Sequence, residues 1–214
     1  MTSNLMQIWP NYLLQNRPQL LEDEELVVVS IKDQVAARVK VCSEKKEMQN
    51  QLFRLEILES IQVSTALKGA GNLNGSGQTP LGWHQIRAKI GENCPQNSVF
   101  IGRRPTGEIF SDELAKLQPA RDWILTRIFW LSGLQKGFNR FGNCDSMRRY
   151  IYFHGTPDFE PMGIAKSHGC IRLRNLVMMR WFDQLQAHTK VLISEVSHEE
   201  ILSELIKALN EKQN

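Results

Sequence analysis

The segment His154–Arg174, HGTPDFEPMGIAKSHGCIRLR, holds the most reactive side chains of this chain. It contains two of the five histidines and Cys170, the last of the four cysteines. A thiol is a useful nucleophile only as its thiolate, and a nearby imidazole can remove its proton. Small residues around Cys170, in the sequence SHGC, favour a sharp turn whose backbone N–H groups converge where an oxyanion would form. The segment therefore predicts a nucleophile, Cys170, a base, His154, and an oxyanion-binding loop.

The residues before this segment predict a strand over Arg149–Phe153 that delivers His154 at its end, with Tyr150 and Tyr152 on the same face as His154. The loop from His154 to Cys170 contains Pro157, Pro161 and Gly163 and can fold back on itself. The alternative is a core histidine beside a structural cysteine. The SHGC context favours the nucleophile and base.

A metal site is a rival interpretation, because His154, His168 and Cys170 are conceivable zinc ligands. The H-x-C spacing is poor for chelation, and no further ligand completes the set nearby. We therefore predict neither a metal nor another cofactor. His84 and His188 have no reactive neighbours in sequence and are predicted to lie at the surface or at an edge.

Arginines follow the nucleophile directly, since Arg172 and Arg174 alternate with apolar residues. A guanidinium there could hold a substrate carboxylate with two hydrogen bonds. It could equally form a salt bridge that locks the SHGC loop. Arg172 is our first candidate for substrate binding, with Arg127 and Tyr152 as further candidates.

The composition is that of an ordinary globular protein, with 214 residues, 42% hydrophobic and 23% charged. The net charge of +3 is too small to indicate nucleic acid as a partner. No apolar stretch reaches transmembrane length, and the N-terminus lacks the pattern of a signal peptide. We therefore expect a protein that is neither exported nor bound to a membrane. The widely spaced cysteines are expected to be reduced thiols.

Outside the reactive segment, much of the chain alternates apolar and polar residues with the period of two that is typical of strands. The predicted strands are residues 26–31, 35–42, 52–58, 61–66, 83–90, 98–102, part of 119–135, and 190–196. We interpret the runs 52–58 and 61–66 as a hairpin, and residues 69–80 as a surface loop, with a phosphate cradle as a weaker alternative. Asn175 is a good N-cap for a helix to about residue 187, and Ser197 for a terminal helix. The pattern predicts a β-rich α+β fold.

The motifs HGT and SHGCIRL resemble those of the L,D-transpeptidase catalytic domain, also called YkuD. The segments VSTALKG and GSGQTPLGWHQI resemble the strand, the Gly-rich loop and the TPLG segment of the same family. The resemblance covers about Leu52–Ser194 and implies a β-sandwich-like domain with a helix after the catalytic loop. We therefore divide the chain into an N-terminal extension, 1–46, with a helix over residues 4–21 and a β-hairpin; a catalytic domain, 47–197; and a C-terminal helix, 198–214.

The resemblance also implies roles for single residues. Cys170 would be the nucleophile and His154 the base, and the carbonyl of Gly155 would orient the imidazole. Ser167, His168 and Gly169 would shape the oxyanion hole, through the backbone N–H groups of His168, Gly169 and Cys170. Two features depart from many members: the loop between His154 and Ser167 is shorter, and the usual export signal is absent.

The family acts on peptidoglycan stem peptides through a cysteine acyl-enzyme, so the resemblance implies muropeptides or free tetrapeptides as partners and carbapenems as covalent inhibitors. Water as acceptor would make the protein an L,D-carboxypeptidase of murein recycling, and an amine acceptor an L,D-transpeptidase that forms 3-3 crosslinks or exchanges D-amino acids. The missing signal favours the cytoplasmic carboxypeptidase over the periplasmic transpeptidase. A non-catalytic module that binds stem peptides is a further alternative.

Overall fold

The structure is a computed structural model that describes residues 18–45 and 51–211. This part of the chain contains ten strands and three helices. The strands are β1 Glu25–Ser30, β2 Val35–Lys45, β3 Gln51–Gln62, β4 Gly82–Ile90, β5 Ser98–Ile101, β6 Arg104–Ile109, β7 Ile124–Gly133, β8 Tyr152–Thr156, β9 Ile171–Arg174 and β10 Lys190–Ser194. The helices are α1 Asp112–Leu117, α2 Asn175–Gln184 and α3 His198–Glu211, with a 3-10 turn at Gly142–Cys144. The predicted β-rich α+β class is confirmed. The helix predicted over residues 4–21 falls outside the described residues, except for 18–21, which are not helical.

The strands form one branched sheet in the order β3-β2-β1-β10-β4-β7-β5-β6, from which β8 and β9 branch off at β7. Strand β7 pairs with β4 and β5 along different parts of its length, and with β8. Two pairs are parallel, β1 with β10 and β8 with β9, and the others are antiparallel. The branch is what positions the reactive segment, because β8 and β9 carry it.

Both faces of the sheet are buried at β1, and the alternation of its side chains shows how. Val27 and Val29 pack into a core with Trp181 of α2, whereas Leu26 and Val28 pack into a second core with Leu205 of α3. All four β1 side chains are at most 1% exposed. Burying an aliphatic side chain of this size contributes about 1.5–3 kcal/mol. The helices after β9 and β10 therefore fix the sheet from both sides.

The N-terminal hairpin lies inside the sheet, because β1 pairs with both β2 and β10. The predicted boundary at residue 46 follows β2 and therefore separates strands that belong to one continuous sheet.

The predicted hairpin over residues 52–66 is wrong, because β3 runs without a turn from Gln51 to Gln62 and pairs with β2. Glu59 and Ser60 lie opposite Arg38 and Ala37 in the ladder, and a register shift beside Arg38 absorbs one extra residue. Neither Glu59 nor Ser60 is a residue that tight hairpin turns prefer. Glu59 is also held in place, since it accepts a hydrogen bond of 2.9 Å from Trp181 Nε1.

The prediction that His84 lies at the surface or at an edge is also wrong. Its side chain is fully buried in β4, with Nδ1 2.9 Å from the Gly82 carbonyl and Nε2 2.9 Å from Ser146 Oγ. Burial lowers the pKa of His84 to about 4. The histidine is therefore a neutral, hydrogen-bonded part of the core at pH 7.

A buried neutral imidazole makes stability depend on pH. The folded pKa of His84, about 4, lies below the unfolded value, about 6.5, so the unfolded chain binds more protons between these values. The contribution of His84 to the free energy of unfolding is therefore fully present above pH 6.5 and is lost as the pH drops toward 4. At pH 5 the loss from this residue is about 2 kcal/mol. Urea unfolding at pH 7 and pH 5 measures the loss. His84→Gln, which does not titrate, is expected to show a loss smaller by about that amount, and an equal loss in both proteins would contradict the prediction.

Candidate active site

The parallel pairing of β8 with β9 brings His154 and Cys170 to one face of the sheet. His154 lies opposite Arg172 in the register, and Cys170 directly precedes β9. Phe153 and Ile171 point into the core, so the alternation directs His154, Cys170 and Arg172 to the opposite face. The predicted strand was misplaced: β8 begins at Tyr152, so His154 is central in its strand rather than at the end.

The strand spacing places the two reactive groups within reach of each other. Ideal strands lie about 4.8 Å apart and rise about 3.3 Å per residue, so two residues on neighbouring strands that are two positions out of register, as His154 and Cys170 would be if Cys170 continued β9, have Cα atoms about 8 Å apart. An imidazole and a thiol can together span that separation.

His154 is buried, at 2% exposure, and its Nδ1 lies 2.8 Å from the carbonyl oxygen of Gly155. A carbonyl can only accept, so Nδ1 carries the proton and Nε2 is left as an acceptor. Burial lowers the pKa of His154 to about 4, which keeps the ring neutral at pH 7. The contact predicted for Gly155 is present, and it selects the tautomer that a general base needs.

Gly155 is backed by a polar cluster that leaves no room for a side chain. A Cβ at Gly155 would lie 2.2 Å from Asn175 Oδ1 and 2.8 Å from the Leu125 carbonyl. Asn175 Oδ1 accepts a hydrogen bond from Thr126 Oγ1 at 2.7 Å, and its Nδ2 donates to Asn97 Oδ1 at 3.0 Å. The prediction of Asn175 as a helix N-cap is wrong: α2 begins at this residue, and its side chain supports the strand that carries His154. Helix α2 also ends at Gln184, before the predicted residue 187.

Cys170 is partly buried, and its Sγ donates to the Tyr150 carbonyl at 3.4 Å. Burial raises the pKa of this thiol to about 12. At pH 7 the site therefore holds a thiol beside a neutral imidazole, not a thiolate beside an imidazolium. Proton transfer has to accompany any attack by the sulfur.

Two hydroxyls hold the SHGC loop in place, that of Ser167 within the loop and that of Thr79 in the Gly-rich loop. Ser167 Oγ donates to the Cys170 carbonyl at 2.5 Å and accepts from the Gly169 N–H at 3.2 Å. Thr79 Oγ1 donates to the Gly169 carbonyl at 3.0 Å. Gly169 has φ +137°, which side-chain-bearing residues rarely adopt. The N–H of Gly169, one of the three predicted oxyanion donors, is therefore already engaged by Ser167.

Arg172 is clamped between two carboxylates. Its Nη2 lies 2.7 Å from Asp122 Oδ1 and its Nη1 3.3 Å from Glu160 Oε2, and its side chain is 6% exposed. Asp122 also lies 3.0 Å from Nδ1 of His168. Burial opposes ionisation of Asp122, but the charge of Arg172 prevails and holds the pKa of the carboxyl below its usual range. The structure thus contains the locking salt bridge that the sequence left as an alternative to substrate binding.

Asp122 is the residue of this site that sequence reasoning missed. It lies in the loop before β7, about fifty positions from its partners in β9 and the SHGC loop. A single aspartate between Arg121 and Trp123 carries no motif that would have identified it.

The other predicted binding residues are engaged differently. Arg127 Nη1 donates to the carbonyls of Cys94 and Thr126, both at 2.7 Å, and its guanidinium lies 5.4 Å from the centre of the Phe182 ring. It therefore braces β7 against α2. Tyr152 is buried and packs in one cluster with Cys170. Tyr152, and not Arg127, therefore lies beside the thiol.

The Gly-rich loop, residues 69–80, lies against the reactive segment. Arg149 donates to the carbonyls of Gly71 at 2.9 Å and Gln78 at 2.5 Å, and Thr79 is fully buried. The loop therefore acts as a support for the SHGC turn, and the surface-loop interpretation holds only for its exposed tip.

Two clefts adjoin the far end of the site, on either side of Phe159. One has a volume of about 390 Å³ and includes Asn97, Phe110 and Asn175. The other has a volume of about 480 Å³ and includes Trp123 and Glu160. Neither cleft is lined by His154 or Cys170.

Several broader expectations can be compared with the described residues. All four cysteines are free thiols. Within residues 18–45 and 51–211, no three His, Cys, Asp or Glu side chains are grouped so that they could hold a metal ion. Among the helices in those ranges, none is both long and apolar enough to span a bilayer.

Comparison with solved structures gives distant similarities. Bd1075 of Bdellovibrio bacteriovorus has a TM-score of 0.47 and 15% identity, over 89% of this chain and 56% of that one. An Enterococcus faecium L,D-transpeptidase, as a cysteine-to-serine mutant, gives 0.44 and 13%, over 81% and 50%. L,D-transpeptidase 3 of Mycobacterium tuberculosis, with a faropenem-derived adduct, gives 0.43 and 14%, over 80% and 60%. The chain thus spans between half and three fifths of the length of these proteins.

No curated protein matches the sequence. The family model for the L,D-transpeptidase catalytic domain, YkuD, matches residues 24–193. This match begins before β1 and so includes the hairpin that the sequence analysis placed outside the resemblance. It covers most of the chain, including the branch that carries His154 and Cys170. The chain therefore belongs to the YkuD family of L,D-transpeptidase catalytic domains.

Proposed function

We propose that this protein is a cysteine-dependent L,D-carboxypeptidase that acts on peptidoglycan stem peptides. It would cleave the bond between the L centre of the third residue, diaminopimelate, and the terminal D-Ala of a tetrapeptide. The observation that carries this proposal is the register of β8 and β9, which turns a neutral His154, protonated on Nδ1, and the Cys170 thiol to the same face of the sheet. The membership of the YkuD family supports the substrate class.

The first chemical step would couple proton transfer to attack. As Cys170 Sγ bonds to the substrate carbonyl carbon, its proton passes to Nε2 of His154, the acceptor that the Gly155 hydrogen bond leaves available. The carbon–nitrogen bond of the tetrahedral intermediate then breaks, and His154 returns the proton to the amine of the leaving D-Ala. A thioester on Cys170 remains. Because both groups begin neutral, the step separates charge only as the bond forms.

The developing oxyanion needs donors that are fixed in advance. We assign this role to the backbone N–H groups of His168 and Cys170, since Gly169 donates to Ser167. Ser167 and Thr79 hold the turn rigid through the carbonyls of Cys170 and Gly169. We regard Arg172 as a positioning residue, because Asp122 and Glu160 occupy its guanidinium.

Water is the acceptor that we propose for the thioester. At the His154 end of the site, two carboxylates face two cations: Asp122 and Glu160 are paired with Arg172, and Glu160 is also 2.9 Å from Lys166. These charges balance, so this group has no net negative charge to attract the ammonium of a second stem. The alternative is an L,D-transpeptidase, and the similar structures whose names carry that activity are the reason to test it.

We further propose that the protein works in the cytoplasm on soluble stem peptides from murein recycling. Hydrolysis of a free tetrapeptide needs no polymeric wall, which crosslinking does. Cell fractionation tests this proposal, and finding the protein in the periplasm would contradict it.

The acceptor can be determined by mass spectrometry of a reaction with murein tetrapeptide. We expect tripeptide as the product, and the same yield when a D-amino acid or a second stem is added as an amine. An exchanged or crosslinked product would show the transpeptidase instead. Absence of any product would favour the non-catalytic binding module.

A further inference from the structure

We propose that Arg103 forms a carboxylate-binding subsite beside Cys170, a role that rests on the proposed peptide substrate. Arg103 lies between β5 and β6, in the short turn that joins them, with a left-handed backbone at φ 68°. It is about fifty residues from β8 in sequence, and it reaches the reactive face because β5 pairs with β7.

Aromatic rings hold the guanidinium of Arg103 in place. Its Cζ lies 4.5 Å from the centre of the Trp130 ring and 4.6 Å from that of Tyr150, and its Nη1 donates to Tyr152 Oη at 3.1 Å. Cation–π contacts of this kind fix a guanidinium without consuming its hydrogen-bond donors. We call Trp130, Tyr150 and Tyr152 the aromatic cradle.

The cradle is continuous with the nucleophile. The carbonyl of Tyr150 accepts the hydrogen bond from Cys170 Sγ, and Tyr152 packs in one cluster with Cys170. The cradle residues Tyr150 and Tyr152 precede His154 in the chain, whereas Arg172, which is paired with Asp122, lies opposite His154 in the register. A peptide whose carbonyl sits at Cys170 would therefore have Arg103 on one side and the paired charges on the other.

Arg103 differs from Arg172 in what it already binds. Arg172 faces two carboxylates, but among residues 18–45 and 51–211 no carboxylate lies within 4.0 Å of Arg103. A guanidinium has five N–H donors, of which the hydroxyls of Tyr152 and Tyr150 engage two. The Tyr150 side of the cradle is open, since that residue is 54% exposed. The remaining donors match a carboxylate, which guanidinium binds through two parallel hydrogen bonds.

A stem tetrapeptide carries two carboxylates close to the attacked bond. One is the C-terminal carboxylate of D-Ala, and the other is on the side chain of diaminopimelate. Either carboxylate would present the same planar group to Arg103. Amidating one carboxylate at a time shows which of the two Arg103 recognises.

The test is calorimetric binding to the Cys170→Ala protein, which cannot turn the ligand over. Three peptides are compared: the tetrapeptide, its C-terminal amide, and the form amidated on the diaminopimelate side chain. We expect one of the two amides to bind at least about tenfold more weakly than the tetrapeptide. Adding Arg103→Gln should remove that difference by weakening only the peptides that keep the recognised carboxylate. Arg104→Gln, the same charge change one residue along on exposed β6, is the matched control and should preserve the difference.

A purely structural Arg103 would weaken all three peptides equally when replaced. That result, or equal binding of the three peptides before replacement, or no binding at all, would overturn the subsite. The proposed hydrolysis is judged separately, by tripeptide formation in the unmodified enzyme. If the protein prefers the peptide with the free carboxylate but forms no tripeptide, Arg103 remains the carboxylate-binding residue and the carboxypeptidase activity is rejected. If it forms tripeptide but binds the three peptides equally, the activity stands and the Arg103 subsite is rejected.

Discussion

Replacing Cys170 with Ala is expected to lower the rate of tripeptide formation by at least about 10⁴-fold. The substitution removes the sulfur that forms the thioester in the proposed reaction. The measurement is tripeptide yield from murein tetrapeptide by mass spectrometry.

Cys144→Ala is the matched control for this change. Cys144 is also a partly buried free thiol, and its Sγ contacts the Phe141 carbonyl in a separate turn. Its replacement should leave the rate within about twofold, as for a substitution that touches no reacting atom. Similar losses in the two variants would mean that the thiol chemistry is wrongly assigned.

Replacing His154 with Gln is expected to lower the rate by about 10²–10⁴-fold at pH 7, which is the usual loss for a general base. The pH profile gives a second signature. In the variant the thiol must ionise unaided, and burial has raised the pKa of Cys170 to about 12, so the residual rate should keep climbing with pH through pH 10. In the unmodified protein the profile should be flat above about pH 6, because the pKa of His154 is about 4.

His168→Gln tests whether this effect belongs to His154 alone. The His168 side chain is 81% exposed and contacts Asp122, and its proposed contribution comes from the backbone. We expect less than about a threefold loss. If His168→Gln lost as much as His154→Gln and acquired the same rising profile, the base would have to be reassigned.

Cys170 and His154 could be proposed as nucleophile and base from the sequence, because the motifs that carry them are short and local. A thiol within SHGC and a histidine in HGT are short motifs whose residue types suffice to suggest nucleophile and base. The details of the oxyanion loop could not be predicted, because the Gly169 N–H donates to Ser167 Oγ only in the folded turn. Residue type alone does not indicate which donors remain available.

Residues that approach the site from distant strands were beyond sequence reasoning. Asp122 and Arg103 reach the face of β8 and β9 only because the sheet branches at β7. Strand β6 and helix α1 were not predicted either, since both are six residues long and α1 has no buried side chain. Short exposed elements carry too little hydrophobic periodicity to be recognised.

Burial explains the remaining errors. His84 was expected at a surface or edge because its sequence neighbours suggested no function, yet Ser146 and the Gly82 carbonyl satisfy both ring nitrogens in the core. Asparagine is a preferred residue at helix N-caps, but the side chain of Asn175 packs behind Gly155 and accepts a hydrogen bond from Thr126. In both cases tertiary contacts overrode a local preference.

The most direct test of the mechanism is to search for the thioester itself. The protein is mixed with murein tetrapeptide, quenched in acid within milliseconds to seconds, digested, and mapped by mass spectrometry. We expect a tripeptide acyl group on the fragment that contains Cys170, with its amount rising and then decaying as free tripeptide accumulates. Tripeptide release with no adduct on Cys170 at any time, or an adduct on another residue, would contradict the cysteine acyl-enzyme.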